Sequence, residues 1–229
     1  MDLSNSQASI ADLQLLTVSC VLWCHSLSKN AIGSNGLRLL GKALVTNNTL
    51  QFLELDTCEL VGNPFRPQLD GLLALSKGIQ SVPECALILS DDTQPRYKTI
   101  PTNLYLSVAN NGLQPEGCRI ILGALSFHPT LTALDLSSNM LSLFGDKQGY
   151  FALSYLLQYA PRLCWLSISN NPLPKQSLPV LREALEANTS LTYLYARDCG
   201  VQKYQLVALV PASASDNHRV SEQHRLWCF

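Results

Sequence analysis

The chain has 229 residues, 47% of them hydrophobic and 14% charged, and a formal net charge of −1. That length holds one sizeable core or a short solenoid. The balanced charge leaves no basic field for a polyanion, which argues against nucleic acid as a main partner.

The run from Leu13 to Leu27 is interrupted by Ser19, His25 and Ser26 and is too short to span a bilayer. Asp2 and Asp12 precede it without any Lys or Arg, the wrong charge for a signal peptide. Residues 1–21 therefore read as an N-terminal capping segment. Cys20, Cys24 and His25 have no second ligand pair at a matching spacing, so they read as structural and no metal or other cofactor is expected.

From Leu22 a pattern of the form L-x-x-L-x-L-x-x-N-x-L recurs. Its best match is Leu131-Thr132-Ala133-Leu134-Asp135-Leu136-Ser137-Ser138-Asn139-Met140-Leu141. Further units begin at Leu22, Leu50, Glu84, Asn103, Leu163 and Leu191, giving spacings of 28, 34, 19, 28, 32 and 28. The recurring 28 defines the unit; the 34 and 19 mark a disturbed one near 84–102, and the 32 an insertion after Leu141. Residues 22–210 thus form a repeat domain of about six to seven units.

Between these segments the apolar spacing turns helical. The stripes are Leu37, Leu40, Ala43 and Leu44; Leu69, Leu72, Leu73 and Leu75 to Ile79; Ile120, Ile121, Ala124 and Leu125; Leu153, Leu156 and Leu157; and Leu178, Leu181, Ala184 and Leu185. Pro115 and Glu116 suit a first helical turn. Each regular unit is one strand, one turn and one helix, and neither half buries its apolar side without stacking on a neighbour. The slot holding Asn30, Asn111, Asn139 and Asn171 has a backbone role, the buried amide satisfying main-chain groups, whereas Cys58 and Cys199 in the same slot are expected to pack without bonding. Eight cysteines are sparse for a secreted disulfide scaffold, and reduced core thiols imply a cytoplasmic or nuclear setting. The sequons at Asn47 and Asn188 are explained by the polar turn before each strand.

Residues 90–102 contain Pro95 and Pro101 and no helical period, and read either as a partner-contact loop or as a tolerated insertion. Residues 211–229 read as a polar, flexible tail without a capping repeat, a sign of a poorly closed end or of a truncated form.

The 28-residue unit, the Asn/Cys slot and the Gly-x-x-x-Leu-Gly-x-Ala-Leu helix from Gly36 to Leu44 resemble the ribonuclease-inhibitor-type leucine-rich-repeat family. The resemblance covers about Leu22 to Leu209. It implies an α/β leucine-rich-repeat solenoid: a curved horseshoe with parallel strands on the concave face and helices outside. The family contains inhibitors, immune-receptor sensors, actin-capping proteins and activators of a nuclear-transport GTPase, so the fold does not select a function.

No phosphate loop, zinc-protease helix or nucleophile elbow is present, so no enzyme activity is expected. With the repeat leucines inward, the third, fifth and seventh positions of each unit project from the concave face. They offer Phe52, Tyr105, Trp165 and Tyr193, widened by Tyr195, with Glu54, Asp56 and Asp135 alongside and Arg197 at the end. The disturbed unit contributes Ala86, Ile88 and Ser90 to the same series. Exposed aromatics on a rigid surface dominate interface energies. The expected function is a non-catalytic scaffold or regulator whose concave face binds a protein partner bearing an apolar patch and some positive charge. The alternatives are an activator of a small GTPase acting through Arg197, Asp198 or Asn170, and a fragment of a larger leucine-rich-repeat receptor.

Overall fold

A computed structural model of the protein describes residues 2–6, 24–46, 50–63, 65–81, 103–200 and 226–228, with the backbone alone at Cys24, His25 and 226–228. The strands are β1 (Cys24–Ser26), β2 (Phe52–Glu54), β3 (Leu104–Ser107), β4 (Leu131–Asp135), β5 (Trp165–Ser167), β6 (Tyr193–Tyr195) and β7 (Leu226–Cys228). The helices are α1 (Gly33–Thr46), α2 (Asp70–Gln80), α3 (Gln114–Leu125), α4 (Gln148–Tyr159) and α5 (Ser177–Ala187). The strands form one parallel sheet in chain order, β1 to β7. Strands sit about 4.8 Å apart and packed helices about 8–10 Å apart, so the strand side is the inner, concave side of the stack.

The inward repeat leucines build the core. Leu53, Leu55, Leu106, Leu134, Leu136, Leu166 and Leu194 are buried, as are Leu37, Leu72, Ile121, Leu153 and Leu181 of the helical stripes. Leu73 departs from its expected stripe and faces outward, 47% exposed. Close contact of α1 with α2 depends on glycines, Gly41, Gly71 and Gly78 among them. A Cβ on Gly41 would lie 2.2 Å from the Ala74 carbonyl oxygen, and one on Gly78 would lie 2.4 Å from that of Gly41.

The asparagine slot works as a ladder. Asn139 Nδ2 donates to the carbonyls of Leu136 (3.2 Å) and of Val108 one rung back (2.9 Å), and its Oδ1 accepts the Asn111 N–H (3.1 Å). Asn171 repeats the pattern on Ile168, Leu136 and the Asn139 N–H. One buried amide thus closes main-chain bonds on two rungs, groups that cost about 1–3 kcal/mol each if left unmade. Cys58 and Cys199 do not merely pack, contrary to the sequence expectation. Their thiols donate to Leu27 O (3.2 Å) and Ile168 O (3.4 Å), and burial pushes both up to about 11.

Two further expectations change. β2 pairs directly with β3, Phe52 opposite Tyr105, so the unit expected at Glu84 has no place between them. Residues 82–102, with Ala86, Ile88 and Ser90, lie outside the described residues. Within the segment read as a flexible tail, Leu226–Cys228 forms β7 against β6, a strand that its polar composition does not announce.

Candidate protein-binding face

The strand register places the third-position residues in one row: Phe52 opposite Tyr105, Tyr105 opposite Ala133, Ala133 opposite Trp165, and Trp165 opposite Tyr193. Because β2 and β3 are neighbours, Phe52 and Tyr105 stack with ring centroids 4.5 Å apart and planes 10° from parallel. Ala133 is too small to separate its neighbours, and Tyr105 and Trp165 lean across it to 6.3 Å. Trp165 continues to Tyr195 at 5.5 Å. Phe52, Tyr105, Trp165 and Tyr195 are therefore one chain of touching rings. Tyr193 stands beside it, 36% exposed, outside those ring contacts.

The fifth-position row runs Glu54, Ser107, Asp135, Ser167, Tyr195. Hydroxyls on this row and on the seventh-position row beside it hold the carboxylates. Ser107 Oγ donates to Asp56 Oδ1, which also accepts the Ala109 N–H at 3.2 Å. Asp135 Oδ1 accepts the Ser137 N–H (2.9 Å) and Oγ–H (2.6 Å), and Ser137 Oγ reaches Ser167 Oγ at 2.7 Å. Burial raises the Asp56 carboxyl above its ordinary 3.8, helped by the nearby charges of Asp135 and Glu54. Burial and the same three carboxylates push the Tyr105 phenol up to about 12. Among the described residues no Lys, Arg or His pairs with Glu54, Asp56 or Asp135; the ion pairs Arg38–Asp70, Arg119–Glu116 and Arg182–Glu186 all involve helices.

Arg197, exposed just past β6, lies at the opposite end of the face from Glu54 and Asp56, and its N–H donates to Ser169 Oγ (3.2 Å). The face is thus acidic toward β2–β4 and carries a cation beyond β6. Asn170 and Asp198 occupy the turns after β5 and β6 with φ of 56° and 54°. Sequon Asn188 is buried, its Nδ2 donating to Leu157 O at 2.6 Å, whereas Asn47 lies outside the described residues. The side chains of Cys20, Cys24 and His25 also lie outside them.

Sequence reasoning missed a second aromatic group, on the helix layer. Phe127, Tyr155 and Tyr159 touch one another at 4.5–5.7 Å, and each is at least 45% exposed. Its signal was present: Phe151, Tyr155 and Tyr159 recur at i, i+4 and i+8, off the buried stripe of Leu153, Leu156 and Leu157.

No protein-family model and no curated protein sequence matches the chain. Solved structures do. The tropomodulin C-terminal domain of Caenorhabditis elegans is similar over 79% of this chain and 93% of its own, with 15% identity and a TM-score of 0.50. The leucine-rich-repeat protein LegL7 of Legionella pneumophila is similar over 91% of this chain and 69% of its own, at 21% identity and a TM-score of 0.46. The TLR13 chain of a complex with ssRNA13 is similar over 82% of this chain and 23% of its own, at 16% identity and a TM-score of 0.37. With one parallel strand and one helix per unit, in register and in chain order, the protein has the leucine-rich-repeat solenoid fold.

Proposed function

We propose that the protein is a non-catalytic interaction scaffold that binds a protein partner on its concave strand face. The contacts are Phe52, Glu54, Asp56, Tyr105, Asp135, Trp165, Tyr193, Tyr195 and Arg197. The observation that carries this reading is the unbroken chain of rings from Phe52 to Tyr195, bordered by carboxylates that meet no cation of the protein among the described residues. Rings locked by strand register present contact area with little entropy left to lose on binding, which is what hot-spot residues require. The carboxylates favour a partner surface with positive charge and slow the approach of an acidic one.

The 28-residue register of three strand pairings supports the ribonuclease-inhibitor-type reading of the repeat. Free Cys58, Cys118, Cys164 and Cys199 support a reducing, cytoplasmic or nuclear setting. The test is affinity purification from the native cell with the wild type and with Trp165→Ala/Tyr193→Ala, followed by titration of the recovered partner. The double variant is expected to lose more than about 2 kcal/mol of binding. Equal affinity would remove the site.

A further inference from the structure

The two most exposed large apolar side chains of the described residues are Phe144, at 100%, and Phe65, at 93%. In a parallel repeat every strand-to-helix loop lies on the same edge of the sheet, so the two share one edge. That edge is short in two units: α1 starts at Gly33, directly after Asn30-Ala31-Ile32, and α3 at Gln114, directly after Asn111-Gly112-Leu113. In the units of β2 and β4 it is lengthened, α2 waiting until Asp70 and α4 until Gln148. Each lengthened loop contains a tight turn with a bare Phe in it. The Arg66 N–H closes one turn on Asn63 O (3.0 Å), and the Asp146 N–H closes the other on Leu143 O (2.9 Å).

Phe144 holds φ at 49° with Gly145 at 81°. Asn or Gly would occupy that left-handed position more cheaply than a bulky side chain does. A phenylalanine kept in solvent at a position that penalises it points to use of its ring. The same edge bears the exposed cations Lys29, Arg66, Lys147 and Lys175, none in an ion pair among the described residues. The acids on this edge include Glu59, Asp198 and Asp146, with Asp146 engaged by the Gln148 N–H (2.8 Å) and amide; Asp56 is held by Ser107, and Asp70 and Glu116 at the helix starts are paired with Arg38 and Arg119.

We propose that this edge docks on an anionic membrane surface, with Phe65 and Phe144 entering the headgroup boundary and Arg66 and Lys147 beside them meeting lipid phosphates and carboxylates. Two separate tips, with the short β3 unit receding between them, suit a deformable apolar medium better than a pair of preformed pockets. Loop cations adjoining each ring supply the charge complement that anionic lipid requires. This contact is peripheral: no helix among the described residues is long and apolar enough to cross a membrane.

The experiment is co-sedimentation of the full chain with vesicles of phosphatidylcholine containing about 30% phosphatidylserine, and with phosphatidylcholine alone. Binding is expected on the anionic vesicles and at least several-fold weaker on the neutral ones. Phe65→Ser/Phe144→Asn is expected to reduce it about tenfold or more, because each ring contributes apolar area to the interface. The same variant should unfold at equal or higher denaturant concentration, since Asn relieves the strained turn, so lost binding cannot be ascribed to lost folding. Arg66→Gln/Lys147→Gln should weaken binding several-fold and flatten its salt dependence. Absence of the wild type from the anionic pellet, or equal sedimentation of the Phe variant, overturns the proposal.

Discussion

The strand face and the helix layer both expose touching aromatic rings, yet they differ in what surrounds them. On the strand face, Phe52, Tyr105, Trp165 and Tyr195 are spaced by backbone pairing and sit among carboxylates without cations. On the helix layer, Phe127, Tyr155 and Tyr159 cluster between α3 and α4, and that layer carries charges of both signs, some paired, as Glu116 with Arg119 and Arg182 with Glu186, and some exposed outside any ion pair among the described residues, as Lys42, Lys77 and Glu183. The strand face sets charge of one sign beside its rings, and the helix layer mixes both signs. Aromatic exposure alone does not separate a binding face from a decorated one; uncompensated charge of a single sign beside it does.

The largest expected effect tests the support beneath the strand face. Asn139→Ala removes an amide serving two rungs and should cost roughly 3 kcal/mol in urea unfolding. Asn139→Cys, copying Cys58, should cost less. An equal loss for the two would show that the thiol contacts of Cys58 and Cys199 contribute nothing. Next, Trp165→Ala/Tyr193→Ala should lower partner affinity by more than about 2 kcal/mol, whereas Phe127→Ala/Tyr155→Ala should leave it within about 0.5 kcal/mol. The reverse order of effects would exchange the roles of the two surfaces.

A smaller effect concerns the seam under the helix-layer cluster. His128 is 4% exposed, its Nδ1 3.4 Å from the Thr130 N–H, and burial holds its imidazole below the ordinary value of 6.5. A base with a depressed folded pKa is neutral in both states at higher pH, and the unfolded chain gains the proton first as pH falls. Stability should therefore be constant above about pH 7 and decline as pH drops through the unfolded value near 6.5. His128→Gln should flatten that decline in denaturation curves. The smallest effect is Arg182→Ala, which breaks an exposed i,i+4 pair and should cost no more than about 0.5 kcal/mol.

Periodicity made the sheet legible. Leucines at fixed offsets from Leu131 predict the pairing of Cys24 with Phe52 and the row from Tyr105 to Tyr193, because side-chain alternation in a strand has a single period. Periodicity also produced the main error. Glu84 to Asp92 matches the motif loosely, and a loose match cannot reveal that β2 pairs past it to β3; pairing depends on contacts distant in sequence. The rings were therefore legible as a row, but the Phe52–Tyr105 stack was not. Phe65 and Phe144 escaped notice because exposure at a loop tip follows from turn geometry, which no repeat pattern records. β7 escaped because a three-residue strand within a polar stretch carries too short an alternation to be read.

The direct pairing of β2 with β3 also bears on how the chain finds its structure. Regular neighbours close after 28 residues, whereas Phe52 meets Tyr105 only after a much longer excursion. Loop-closure entropy grows slowly with length, so this junction costs little at equilibrium, about 0.6 kcal/mol per doubling. Kinetically it is the least local step in the array, and local contacts form first. Nucleation is thereby biased toward the block from β3 to β6, with the β1–β2 pair added afterwards as a separate cooperative unit. Under native-state hydrogen exchange the amides of Leu27 and Leu55 should open at lower free energy than those of Val108, Leu136 and Ile168, dividing one continuous sheet into two domains of stability.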